Sequence, residues 1–174
     1  MTKIITLTQN QYAIVDDENY NKLNRYKWHA QYDPKTVGYY ALRNTPTKNG
    51  RQTKIRMHRV VTNAPRGKQV DHINHDTLDN RKQNLRLCTQ SQNNMNRVER
   101  KNFVSKYKGV CLSKRKYKDK VYTSWMARIR IDGKLIYLGA YKSEIQAAHA
   151  YDKQAKELFG KFALLNFKET NYDK

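Results

Sequence analysis

Residues 70–97 read VDHINHDTLDNRKQNLRLCTQSQNNMNR. Val70 to Ile73 is strand-like, Asp79-Asn80-Arg81 suits a loop, and Leu85-Arg86-Leu87 is a second short strand. Thr89 reads as a helix N-cap with Gln92 as its capping-box partner, so a helix should run from about Gln90 to Asn96 or beyond. Its apolar content is thin, Met95 and Val98 alone, so the surrounding module has to hold it. Two strands, a loop and a helix result.

The same stretch carries chemistry. Asp71 and His72 are adjacent, and asparagines follow at Asn80, Asn84, Asn93, Asn94 and Asn96. Oxygen donors suit a hard divalent cation, Mg²⁺ or Mn²⁺. A neutral imidazole near pH 7 takes a proton from water. Phosphodiester hydrolysis needs an activated water, charge relief on the developing phosphorane and help for the departing 3′ oxygen. One metal ion supplies the last two. In this reading His72 deprotonates the water, Asp71 binds the metal, and an asparagine carbonyl of the following helix completes the protein ligands. Strand alternation points Asp71 and His72 to opposite faces. A bent strand end is therefore required for both to reach one phosphate.

Metal and base in a strongly basic chain read as a nuclease. The chain has 174 residues, with 35 Lys and Arg against 15 Asp and Glu, a formal net charge of +20. Such a surface attracts polyanions at long range. No apolar run approaches the ~18 residues of a spanning helix, and Met1 to Leu7 has no long apolar core of a signal peptide. A membrane is not expected as partner. Cys88 and Cys111 build neither a disulfide framework nor a four-thiolate zinc site, and they read as buried fillers in a reducing cytoplasm. Mean hydropathy is −1.01. Several small modules fit this better than one large core.

Residues 1–56 read as a β-rich module. Strands are expected at Lys3 to Leu7, Tyr12 to Val15, Trp28 to Ala30 and Tyr39 to Leu42, with a short helix through Leu23. Lys48-Asn49-Gly50 is a hairpin turn signal. Lys54 to Val60 then reads as a strand with Ile55 and Met57 on one face and Arg56 and His58 on the other. Trp28 and Tyr39-Tyr40 read as core. His75 reads as a loop residue, His29 and His149 as structural. The basic stretch from Arg97 to Lys120 reads in part as a linker lying on nucleic acid, at 99–104. Residues 105–167 read as three strands and a helix. Trp125, Ala127, Ile129 and Ile131 face one way, and Met126, Arg128 and Arg130 the other. Asp132-Gly133 is a hairpin turn. Ser143 caps a helix with Gln146, Ile145, Ala148 and Ala155 recur at helical spacing, and Gly160 is a natural stop. The fold class is α+β, with residues 168–174 a tail.

Met57-His58-Arg59, Val70-Asp71-His72-Ile73, Leu78-Asp79-Asn80-Arg81, Asn84-Leu85-Arg86 and Thr89 to Asn96 resemble the HNH nuclease family. The resemblance implies a ββα-metal unit over residues 57–98. It implies His72 as general base, Asp71 as metal ligand, and Asn80 as the asparagine that braces the loop and orients the histidine. The last ligand would be Asn93, with Asn96 as runner-up, since these share a helix face from which Asn94 points away. The family often has histidine at that position; here it is asparagine. Ser105 to Val110, Trp125-Met126-Ala127, Leu138 to Tyr141, Ala150-Tyr151-Asp152 and Leu165-Asn166-Phe167 resemble the AP2 DNA-binding domain. That implies base reading by Arg128 and Arg130 and phosphate contacts from Arg115, Lys116 and Lys134, joined by Arg97 and Lys101 of the basic stretch. Together the two units resemble intron-encoded homing endonucleases of phages. The expectation is a monomeric, site-specific nickase of double-stranded DNA in the host cytoplasm. A sequence-specific DNA-binding regulator with an inactive HNH unit is the first rival, and a basic RNA-binding protein the second.

Overall fold

The computed structural model describes residues 1–34, 36–47, 50–97 and 104–167. Lys48 and Asn49 of the turn signal, Val98, the contact residue Lys101, most of the 99–104 segment and the 168–174 tail lie outside them. The chain forms two compact units, Met1–Asn93 and Asn94–Lys174. The architecture is mixed α/β, with four small antiparallel sheets and few helices among the described residues.

In the first unit β1 (Thr2–Thr6) and β2 (Tyr12–Asp16) form a hairpin, followed by helix α1 (Asp17–Asn24). Asp17 and Glu18 in the first turn and Lys22 in the last suit the dipole of α1. Strands β3 (His29–Asp33), β4 (Gly38–Asn44) and β5 (Lys54–Arg56) make an antiparallel sheet in that order. Helix α2 (Met57–Val61) follows directly. The expected strand through Val60 therefore stops at Arg56. Helical winding buries Met57, His58 and Val61 together, and this tertiary gain overrides the strand preference of the Val60-Val61 pair. Strands β6 (Gln69–His72) and β7 (Leu85–Cys88) pair antiparallel, with a 3₁₀ turn at Lys82–Asn84 before β7. Helix α3 (Gln90–Met95) starts as expected: Thr89 Oγ1 accepts from the Gln92 backbone, and Gln92 Oε1 accepts from the Thr89 backbone.

No packing break follows residue 56. Ile5, Val15, Leu23 and Trp28 share one apolar cluster with Met57, Val61 and Leu85. The leading residues were expected to stand as a separate module; their side chains are instead half of a common core. Trp28 is buried and donates its indole N–H to the Leu23 carbonyl at 2.9 Å.

In the second unit β8 (Val110–Tyr117), β9 (Lys120–Ile131) and β10 (Lys134–Tyr141) form a meander with β9 central. Lys114 to Lys120, expected partly as linker, is the end of the β8–β9 hairpin. Ala127 and Ile129 of β9 pack on helix α4 (Glu144–Phe159), which starts in the expected Ser143–Gln146 capping box. Ile145 is exposed, and Ala147 takes the buried position instead. Gly160, at φ 50°, ends the helix.

Candidate active site

Residues of β6, β7 and the loop between them form the candidate site. The β6–β7 register sets Asp71 opposite Arg86 and His72 opposite Leu85, so Asp71 and His72 do face opposite sides. His72 is the last residue of β6, and the chain turns there, with the His75 backbone N–H donating to the His72 carbonyl. Both side chains are buried.

Asp71 is charge-compensated. Arg86 donates from Nε at 2.8 Å and from Nη2 at 2.7 Å to Asp71 Oδ2. Gln69, two residues before Asp71, shares its strand face. Gln69 Oε1 accepts from Asn93 Nδ2 at 2.8 Å, and Gln69 Nε2 donates to Gln90 Oε1. The Asn93 amide is thereby tethered to the face of β6 that carries Asp71, with its N–H end used and its carbonyl available to turn elsewhere. Asn94 is exposed, and Asn96 is buried one residue past α3.

His72 is hydrogen-bonded to the side chain of Asn80, which is buried in the loop. Asn80 Nδ2 is committed to the Leu78 carbonyl at 3.0 Å, so Asn80 Oδ1 is the acceptor and the imidazole N–H the donor. That fixes the ring tautomer and makes the other nitrogen the basic one. Burial pushes the His72 pKa down, against smaller upward pulls from Asn80 and from Asp71, Asp76 and Asp79. The ring is neutral at pH 7, as a base must be.

The loop holding Asn80 is fixed from several sides. Its backbone N–H donates to the Ile14 carbonyl at 2.7 Å, and the Ile14 N–H donates to Leu78 O at 2.9 Å. Strand β2 thus gains a short parallel bridge to the loop. Asp79 accepts from Arg81 Nε and Nη2, at 2.8 and 2.7 Å, and from Asn74 Nδ2 at 3.0 Å. The Arg81 hydrogen bonds hold the Asp79 carboxyl below its ordinary range. Asn84 Nδ2 donates to the Asp79 carbonyl at 2.9 Å, and the Lys82 N–H to Asp16 Oδ2 at 2.7 Å.

Two rings from outside the motif complete the surroundings of His72. The His58 ring meets it edge-on at 5.1 Å between centroids, and Tyr40 lies 6.1 Å from His72 and 5.6 Å from His58. Burial lowers the His58 pKa to about 3, aided by the neighbouring His72. Burial also raises the Tyr40 pKa. Tyr40 is thus a neighbour of the base rather than simple core. The sequence does not point to Tyr40, Gln69 or Arg86. A cross-strand acid–base couple is a usable signal for Arg86, but only once the register across the long 73–84 connection is known.

The second unit places the remaining expected residues. Arg128 is half-buried and hydrogen-bonded through Nε to Cys111 Sγ at 3.1 Å. Cys111 is therefore not a buried filler, while Cys88 is. Arg130 donates to the Gly133 carbonyl at 2.9 Å. Pairing puts Arg115 opposite Tyr122 and Lys116 opposite Val121, on alternate faces of the hairpin. Lys134 is exposed at the start of β10, and Arg97 is exposed. His149 stacks on Phe167 at 4.3 Å.

The donors fit a hard divalent cation. Among the described residues no group of three His, Cys, Asp or Glu side chains is placed to hold a metal. A cation drawing on the oxygens of Asp71 and Asn93 would complete its shell with water and phosphate, which is the habit of Mg²⁺.

The HNH endonuclease family model matches residues 57–95, the span of this site. A protein of Acanthamoeba polyphaga mimivirus, "Uncharacterized HNH endonuclease L560", is 30% identical over 161 residues, 89% of this chain and 74% of that protein. The chain belongs to the HNH endonuclease family. Shorter matches join it to plant proteins. Dehydration-responsive element-binding protein 2A of Oryza sativa subsp. japonica is 33% identical over 69 residues, 38% of this chain and 23% of that protein. Ethylene-responsive transcription factor WRI1 of Arabidopsis thaliana is 44% identical over 52 residues, 30% of this chain and 12% of that protein. No solved structure matches.

Proposed function

We propose that this chain is a site-specific, divalent-metal-dependent DNA endonuclease that nicks one strand of a duplex. The carrying observation is the buried His72, its tautomer fixed by Asn80, within the residues matched to HNH endonucleases. His72 takes a proton from the attacking water. Asn80 holds the ring, and the Asp79–Arg81 pair holds the loop. Asp71 and Asn93 would hold Mg²⁺ or Mn²⁺, with Arg86 fixing the Asp71 carboxylate. When bound, that ion relieves charge on the phosphorane and on the leaving 3′ oxygen. One base per chain gives one strand cut per encounter of a monomer.

The second unit, with Arg128, Arg130, Arg115, Lys116 and Lys134 on or beside its sheet, is proposed as an AP2-like DNA reader. The short plant matches, one named a transcription factor, support that reading. Homing of an intron in a phage, with action in the host cytoplasm, is the setting proposed. A second reading, a DNA-binding regulator with a silent nuclease unit, is favoured by the grip of Arg86 on Asp71.

Supercoiled plasmid carrying the target, incubated with Mg²⁺ or Mn²⁺, separates the two. The wild type should give open circles, EDTA should stop this, and His72→Ala should slow it by ~10²–10⁴-fold. Specific binding without metal-dependent nicking would establish the regulator. Linear product with no nicked intermediate would reject one-strand cutting.

A further inference from the structure

The sheet β3–β4–β5 has one face in the core, through Ala30 and Ala41. Its other face carries Gln31, Tyr40, Lys54 and Arg56, by the register Gln31–Tyr40, Leu42–Arg56 and Asn44–Lys54. Lys54 reaches from β5 across β4 to Gln31 Oε1 at 2.8 Å. Arg56 lies over the Tyr40 ring, 5.0 Å from its centroid. Tyr40 in turn is the ring beside His72. An exposed guanidinium therefore stands one ring's width from the base.

The other arginines on the elements around His72 are committed. Arg86 is engaged by Asp71 and Arg81 by Asp79. Arg59 donates to the carbonyls of Ala64, Pro65 and Lys68. Arg43 lies on the opposite sheet face, stacked on Tyr26 at 4.0 Å. Among the described residues Arg56 has no ion pair. Its stack on Tyr40 fixes the plane of the guanidinium and leaves the N–H edge open for two parallel hydrogen bonds to a phosphate.

We infer that Arg56, held by Tyr40 and seconded by Lys54, binds a backbone phosphate of the DNA strand that His72 attacks. This rests on the nuclease reading above for the identity of the ligand. The face is then a track that delivers the strand to the base.

The test compares wild type, Arg56→Lys and Arg56→Ala, each checked by thermal melting. Binding to a duplex that carries the target is titrated in EDTA over a range of salt. Arg56→Ala should lower the slope of log K against log salt by about 0.9, the value of one phosphate contact. Arg56→Lys, which keeps the charge, should hold the wild-type slope. An unchanged slope in Arg56→Ala overturns the inference, even if nicking slows, because a role through the packing of Tyr40 and His72 moves the rate alone. Cutting is not needed for this readout. Should the wild type prove unable to nick, the nuclease reading fails while the slope still decides the contact.

Discussion

His58 is a histidine that the fold keeps neutral far below its ordinary range, at a pKa of about 3 against 6.5. The unfolded chain binds a proton at this site before the folded one does. The contribution to stability is therefore complete above about pH 6.5 and is lost as pH falls toward 3. His72, lowered in the same direction by burial, adds to the loss. His58→Phe keeps an aromatic edge against His72 and removes one proton site. It should flatten the fall in melting temperature between pH 7 and pH 4, by an amount on the order of a few kcal/mol. An identical acid fall in the variant would contradict this account. At this scale the sequence is a good guide where partners are close along the chain. Asp71, His72 and Asn80 lie in one local motif. Tyr40, Gln69 and Arg86 owe their places to strand register and to a sheet formed by distant residues, and neither is written in spacing.

Capping is the most legible of the element-scale features, because a Thr or Ser and a Gln three residues on are a complete local code. Both boxes, at Thr89 and at Ser143, form as read. Helix α2 is the contrary case: its five residues have strand-forming side chains, and only the burial of Met57, His58 and Val61 favours winding. Strand β8 depends on Gly109. Its φ is +74°, and a Cβ there would meet the Tyr151 ring at 2.0 Å and the Arg128 carbonyl at 2.6 Å. Backbone strain and overpacking combine, so Gly109→Ala should cost roughly 3 kcal/mol or more. Chemical denaturation followed through Trp125 should show an early transition; a midpoint equal to wild type would mean that the ring moves aside freely.

On the scale of the whole molecule, a net charge of +20 dominates the encounter with DNA. If six to ten phosphates are contacted in all, affinity should fall ~10³–10⁵-fold between about 50 and 200 mM salt. A nearly flat titration would mean that most of the charge never meets the duplex. Composition alone argues for small modules, and two units are found. What composition does not reveal is that the first 56 residues lack a core of their own, since their apolar side chains close over Met57, Val61 and Leu85.

Strand β2 holds the backbone of Leu78 and Asn80, and Asp16 holds Lys82. For protein engineering this makes residues 1–56 a poor cartridge. A graft that exchanges them to redirect targeting would also replace the mould in which the histidine's asparagine is set. Recombination between relatives meets the same obstacle. A crossover at residue 56 would split one buried surface down its middle, whereas one near residue 93 would leave that surface whole.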